Sequence, residues 1–122
     1  MFEIEIDRTF SAAHQLKGYD GDCRNMHGHN YMVTVTVVAD KLNEIGIALD
    51  FKLLKAAVDK VIGPYDHHNL SEMDEFKAVN PTSEILARTI YRKLAAELAN
   101  DGVKVSKVSI AESAASRIIY SE

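Results

Sequence analysis

The run His27-Gly28-His29-Asn30-Tyr31-Met32-Val33-Thr34-Val35-Thr36-Val37-Val38 constrains this chain more than any other. From Tyr31 to Val38 it is dense in valine and threonine, whose branched side chains favour extended backbone. Side chains of a strand alternate between its two faces, so His27, His29, Tyr31, Val33, Val35 and Val37 share one side. Met32, Thr34, Thr36 and Val38 share the other, which is mixed in character. The pattern predicts a strand that turns valines into a core and carries two neighbouring imidazoles at its start. Gly28 between them puts no side chain on the opposite face and leaves room for close approach.

The rest of the chain supplies partners for that strand. Phe2 to Ile6 alternates apolar and acidic residues, and its even parity continues through Phe10 and Ala12 to His14. Asp50 suits the N-cap of a helix with Phe51, Leu54, Val58, Val61 and Ile62 on one side, stopped by Gly63-Pro64. A second helix begins within Asn80-Pro81-Thr82-Ser83-Glu84 and carries Leu86, Ile90, Leu94 and Leu98 at steps of four. Val103 to Glu112 and Arg117 to Tyr120 read as two closing strands. The order strand-strand-helix-helix-strand-strand excludes a doubly wound sheet. It predicts an α+β fold, a four-stranded antiparallel sheet with two helices on one face. Residues 1–122 are expected to form one domain. Two helices leave the other face and both edges open, and closing several copies into a barrel would remove the edges.

Composition narrows the function. A net charge of -4 disfavours a general nucleic-acid binder. A single cysteine excludes an intramolecular disulfide and suits a reducing compartment. The start Phe2-Glu3-Ile4-Glu5-Ile6-Asp7 shows neither a basic opening nor an apolar signal core, and no apolar run is long enough to span a bilayer. A cytoplasmic protein that binds neither membrane nor nucleic acid is expected.

Only five histidines occur, and they cluster. His14, His27 and His29 offer three neutral imidazoles. Catalytic zinc sites commonly have that ligand count, with a fourth position open, and imidazole selects against magnesium and calcium. The bland alternative is a strand entry whose histidines are solvated or bonded to backbone. Cys23 lies beside the polar loop Gly18-Tyr19-Asp20-Gly21-Asp22, so it reads as an accessible thiol, either nucleophile or base; an unpaired cysteine is otherwise a small buried hydrophobe. Asp66-His67 is an acid–base pair if the aspartate holds the imidazole's tautomer, and otherwise a polar helix-to-loop segment. Glu112 shares parity with Val108 and Ile110. Pointing inward, it needs a partner such as a ligand with two N–H groups; pointing out, it is an ordinary strand-end residue.

These residues resemble one family nearly end to end, the 6-pyruvoyl-tetrahydropterin synthase and 6-carboxy-tetrahydropterin synthase superfamily. Phe10-Ser11-Ala12-Ala13-His14 looks like its first zinc-ligand motif and His27-Gly28-His29 its second. Asp66-His67 resembles its catalytic pair, Asn80-Pro81-Thr82-Ser83-Glu84 its pterin-side helix start, and Glu112 its pterin-anchoring glutamate. The spacing of Cys23, His27 and His29 is similar to the bacterial queuosine-pathway branch. The resemblance implies a zinc-dependent lyase acting on 7,8-dihydroneopterin triphosphate. Its products would be 6-carboxy-5,6,7,8-tetrahydropterin, acetaldehyde and triphosphate. It implies Zn2+ on His14, His27 and His29, catalysis by Cys23, Asp66 and His67, and pterin contacts from Glu112, Thr82 and Ser83. It also implies trimeric twelve-stranded barrels paired into a homohexamer, with Cys23 of one chain facing Asp66 and His67 of another. Lys17, Arg24 and Lys52 are equal contenders for the triphosphate. Two other functions remain open: the pyruvoyl-forming triphosphate lyase, and a zinc-binding module without catalysis.

Overall fold

The alternation of the first two strands is what the sheet is built on. In the computed structural model, which describes residues 1–18 and 25–122, β1 (Phe2–His14) and β2 (His27–Ala39) form a long antiparallel hairpin. The even residues of β1 and the odd residues of β2 turn to one side. Ile4, Ile6, Phe10, Tyr31, Val33, Val35 and Val37 are all buried there.

Two helices close over this face. α1 (Phe51–Ile62) starts where the Asp50 side chain accepts the Lys52 N–H at 2.8 Å, and it buries Leu54, Ala57, Val58, Val61 and Ile62. Phe51 begins the same stripe yet is 58% exposed, unlike the inward residue that the spacing predicts. α2 (Ser83–Glu97) starts where the Thr82 hydroxyl oxygen accepts the Ile85 N–H at 3.2 Å. Leu86, Ile90, Leu94 and Leu98 are buried at their steps of four. No helix among the described residues is long and apolar enough to cross a membrane.

The sheet departs from the predicted one in strand count and direction. It has five strands, in the order β3-β1-β2-β4-β5, with β4 (Lys104–Ser113) and β5 (Ser116–Tyr120) antiparallel as expected. The addition is β3, only His68–Asn69, which pairs parallel with Ala12 and Ala13 of β1. The sheet is therefore mixed, not purely antiparallel. Two residues are too few for any periodicity to show in sequence. On the sheet's far side Thr36 is buried, its hydroxyl donating to Glu5 Oε2 at 2.9 Å.

Leu94 is fully buried where α2 meets the sheet. Leu94→Ala is expected to cost about 2–5 kcal/mol of unfolding free energy by leaving a cavity. Urea denaturation followed by circular dichroism measures it.

Candidate metal centre

One register gathers the three histidines. In the β1–β2 ladder His14 stands opposite His27, and Ala12 opposite His29, so all three imidazoles leave the buried face at the same end of the hairpin. Their ligand atoms lie within 4.8 Å of one another.

The hydrogen bonds around them fix which nitrogen is free. His14 Nδ1 lies 2.9 Å from the Pro81 carbonyl oxygen, and His27 Nδ1 lies 2.7 Å from that of Asn25. A carbonyl only accepts, so each Nδ1 carries the proton and each Nε2 presents a lone pair. Those two Nε2 atoms are 2.8 Å apart. Two lone pairs at that range repel unless a cation, or a shared proton, lies between them. His29 adds a buried Nε2 with no hydrogen-bond partner among the described residues. Buried polar atoms are normally satisfied, so this orphan also fits a metal ligand. Metal-binding histidines commonly donate their other N–H to a carbonyl, as His14 and His27 do here. Burial, the largest influence on His14, lowers its pKa below the ordinary 6.5 and favours the neutral imidazole that a metal needs.

A carboxylate borders the cluster. Glu112 sits where the β4–β5 ladder shifts register between Ala111 and Ser113, an irregularity of the kind that re-aims side chains. Ser83, at the first position of α2, donates its hydroxyl to Glu112 Oε1 at 2.7 Å. Glu112 Oε2 lies 3.6 Å from His29 Nε2. Ser83 and Glu112 line a hollow of about 390 Å³ with Leu16, Thr82, Ile110 and Arg117. The walls are mainly apolar with a few polar groups among them, as in sites for small ligands.

The Asp66–His67 pair forms within the chain. His67 Nδ1 is 3.0 Å from Asp66 Oδ1, which also accepts the Ser11 N–H at 2.9 Å. That backbone bond, together with His67, holds the Asp66 carboxyl below its usual pKa, so it stays ionised. His67 adopts a left-handed backbone (φ 58), while its N–H donates to the Ser11 carbonyl at 2.6 Å. Such conformations are uncommon for residues other than glycine and concentrate at functional sites. The imidazole is 82% exposed. It lines a different hollow from Glu112, with Ser11, Ala13, Gly28, His29, Asn30 and His68.

The predicted site residues thus fall into two groups and a remainder. His14, His27, His29, Glu112, Thr82 and Ser83 belong to one neighbourhood. Asp66 and His67 pair with each other beside His29's outer flank. Cys23 and Arg24 lie outside the described residues. Lys17 lines a third hollow with Gln15, Ser71, Lys77 and Pro81, and Lys52 is exposed on α1. Gly28 has ordinary room for a Cβ, 3.8 Å from the Ala12 carbonyl oxygen, so crowding within the chain does not require glycine there. The sequence reading missed three contributors. Tyr31, whose hydroxyl lies 3.1 Å from His14 Nδ1, shares the histidines' parity and was within reach of it. The Pro81 carbonyl and Arg117 carry no comparable sequence signal.

A two-layer α+β scaffold thus ends its first hairpin in three imidazoles that could hold a metal ion, with a carboxylate-lined hollow beside them. The chain belongs to the 6-pyruvoyl tetrahydropterin synthase family, whose model matches residues 3–122. The 6-carboxy-5,6,7,8-tetrahydropterin synthase of Synechocystis is 38% identical over 99 residues, 77% of this chain and 75% of that protein. That of Bacillus subtilis is 37% identical over 102 residues, 80% and 68% of the two chains. The structure of Caenorhabditis elegans 6-pyruvoyl tetrahydropterin synthase superposes with a TM-score of 0.88 at 30% identity, covering 99% of this chain and 95% of that one.

His27→Ala is expected to strip bound metal, read by elemental analysis of the purified protein. The pH dependence has a definite sign. A histidine whose folded pKa is depressed favours folding and metal binding above its ordinary 6.5, and that contribution falls away as pH drops below it. Metal release on titration from pH 7 to pH 5 is the expected result.

Proposed function

We propose that this protein is a zinc-dependent lyase. It converts 7,8-dihydroneopterin triphosphate to 6-carboxy-5,6,7,8-tetrahydropterin, acetaldehyde and triphosphate, as a cytoplasmic step of queuosine biosynthesis. The observation that carries this reading is the pair of backbone-locked imidazoles whose Nε2 atoms face each other at 2.8 Å, beside a carboxylate-ended hollow. The curated relatives named for the carboxy product support the choice of branch. The donor set among the described residues, three neutral imidazoles, suits zinc.

His14, His27 and His29 hold the ion. Bound there, zinc supplies Lewis acidity that lowers the pKa of a substrate hydroxyl, so that a modest base suffices. Glu112 accepts the amino and ring N–H groups of the pterin, which fixes the side chain toward the histidines. Thr82 and Ser83, at the start of α2, add contacts on the pterin's flank. Cys23, as thiolate, removes a proton from the substrate side chain. His67 handles the complementary proton at Nε2, because its Nδ1 is tied to Asp66.

His67 and Glu112 line different hollows, which accords with a site shared between subunits. We therefore assign a homohexamer of two trimeric barrels, in which Cys23 of one chain works with Asp66 and His67 of its neighbour. The open edge of β5 and the largely open edge of β1 are the natural joints, since unpaired strand edges seek partners.

Incubation with 7,8-dihydroneopterin triphosphate, with products identified by mass spectrometry, is expected to yield the carboxy product and acetaldehyde. A pyruvoyl product without acetaldehyde would move the protein to the sister activity, which the likeness to the Caenorhabditis elegans enzyme keeps in view. Cys23→Ala and His67→Ala should each keep the metal and lose about 100-fold or more in turnover. Reassembling the two inactive variants together should restore part of the activity. Unimpaired turnover in Cys23→Ala would remove Cys23 from the mechanism, and a zinc-loaded wild type without turnover would leave a metal-binding module instead.

A further inference from the structure

Glu112 faces two claims. Its Oε2 is 3.6 Å from the orphaned, buried Nε2 of His29, and its carboxylate also ends the hollow lined by Thr82, Ser83 and Arg117. In a tetrahedral site with metal–ligand distances of about 2.0–2.2 Å, neighbouring donor atoms sit about 3.3–3.5 Å apart. The carboxylate thus stands almost at ligand spacing from one histidine, and it bears the negative charge that a cation attracts. Three neutral imidazoles leave an open position, which a carboxylate turned toward all three would fill.

One bond opposes that turn. The Ser83 hydroxyl donates to Glu112 Oε1 at 2.7 Å. Ser83 is itself buried, 8% exposed, and fixed as the first residue of α2. A hydroxyl donating to a carboxylate makes a short, charge-assisted bond, and its anchorage on a helix end holds the direction of that bond.

We propose that Ser83 is a positioning residue that holds Glu112 on the ligand side of the hollow and keeps it off the metal. The bond preserves two things together: the metal's open position and the carboxylate's availability for a ligand with paired N–H groups. Without it, Glu112 becomes a fourth metal ligand and must be displaced each time the organic ligand binds. The proposal rests on His14, His27 and His29 as metal ligands and on Glu112 as the pterin anchor. Its main readout, metal affinity, does not require a pterin.

The test compares wild type with Ser83→Ala, Ser83→Thr and Ser83→Ala/Glu112→Gln. Zinc affinity is measured by chelator competition, and coordination from the visible spectrum of the cobalt(II)-loaded protein. Ser83→Ala is expected to bind zinc about tenfold more tightly and to change the cobalt spectrum, as one added ligand would. Ser83→Thr should restore wild-type values, and the double variant should lose the gain in zinc affinity. Unchanged or weaker zinc binding in Ser83→Ala would overturn the proposal, as would a gain that persists in the double variant. A gain in zinc affinity in a protein whose wild type turns over no pterin would uphold Ser83's role while discarding the pterin reading.

Discussion

The antiparallel register of β1 against β2 is the constraint on which everything else depends. Placing His14 opposite His27 and Ala12 opposite His29 brings three imidazoles to one end of one face. A slip of a single residue would turn a strand's entire apolar set from the core to the solvent side. The same slip would carry its histidines away from their partners. Burial of Ile4, Ile6, Val33, Val35 and Val37 therefore secures the histidine cluster indirectly. Each valine held in the core is a vote for one register, and only that register assembles the ligands. Core and site are specified by a single choice.

The helices finish what the hairpin begins. α2 buries its leucine stripe on the sheet, and in doing so delivers its first turn to the edge of the histidine cluster. The Pro81 carbonyl then receives the His14 N–H, and Ser83 meets Glu112. A stability feature and a chemical feature are joined in one short segment: Thr82 caps the helix while its neighbours on either side orient a ligand and a carboxylate.

Legibility in the sequence followed the reach of periodicity. Both long strands, both helices and the two closing strands repeat at 2 or 3.6 residues for long enough to be read. The three histidines inherit their placement from strand parity, and Asp66 and His67 are adjacent, so these too were readable. β3 was not, because two residues define no period and its pairing with Ala12 and Ala13 is set by the path of the chain after α1. The polar details were equally hidden. That His14 leans on a carbonyl contributed by Pro81, 67 positions away, depends on how a helix docks, and a carbonyl is common to every residue. The exposure of Phe51 shows the converse limit, since a stripe drawn from spacing says nothing of where the core beneath it ends.

The histidine cluster lies where β1 stops and β2 starts, so residues 15–26 connect two points that the ligands hold together. A metal bound there acts as a removable staple across the open end of the hairpin, where strands otherwise fray first. At the connection's near end the Gln15 N–H donates to Ser71 Oγ at 2.9 Å and the Lys17 N–H to Asn80 Oδ1 at 2.9 Å. Cys23, proposed above as a base, is carried on that connection, whereas the three histidines belong to the strands themselves. New chemistry can enter by rewriting one segment without unpicking a strand.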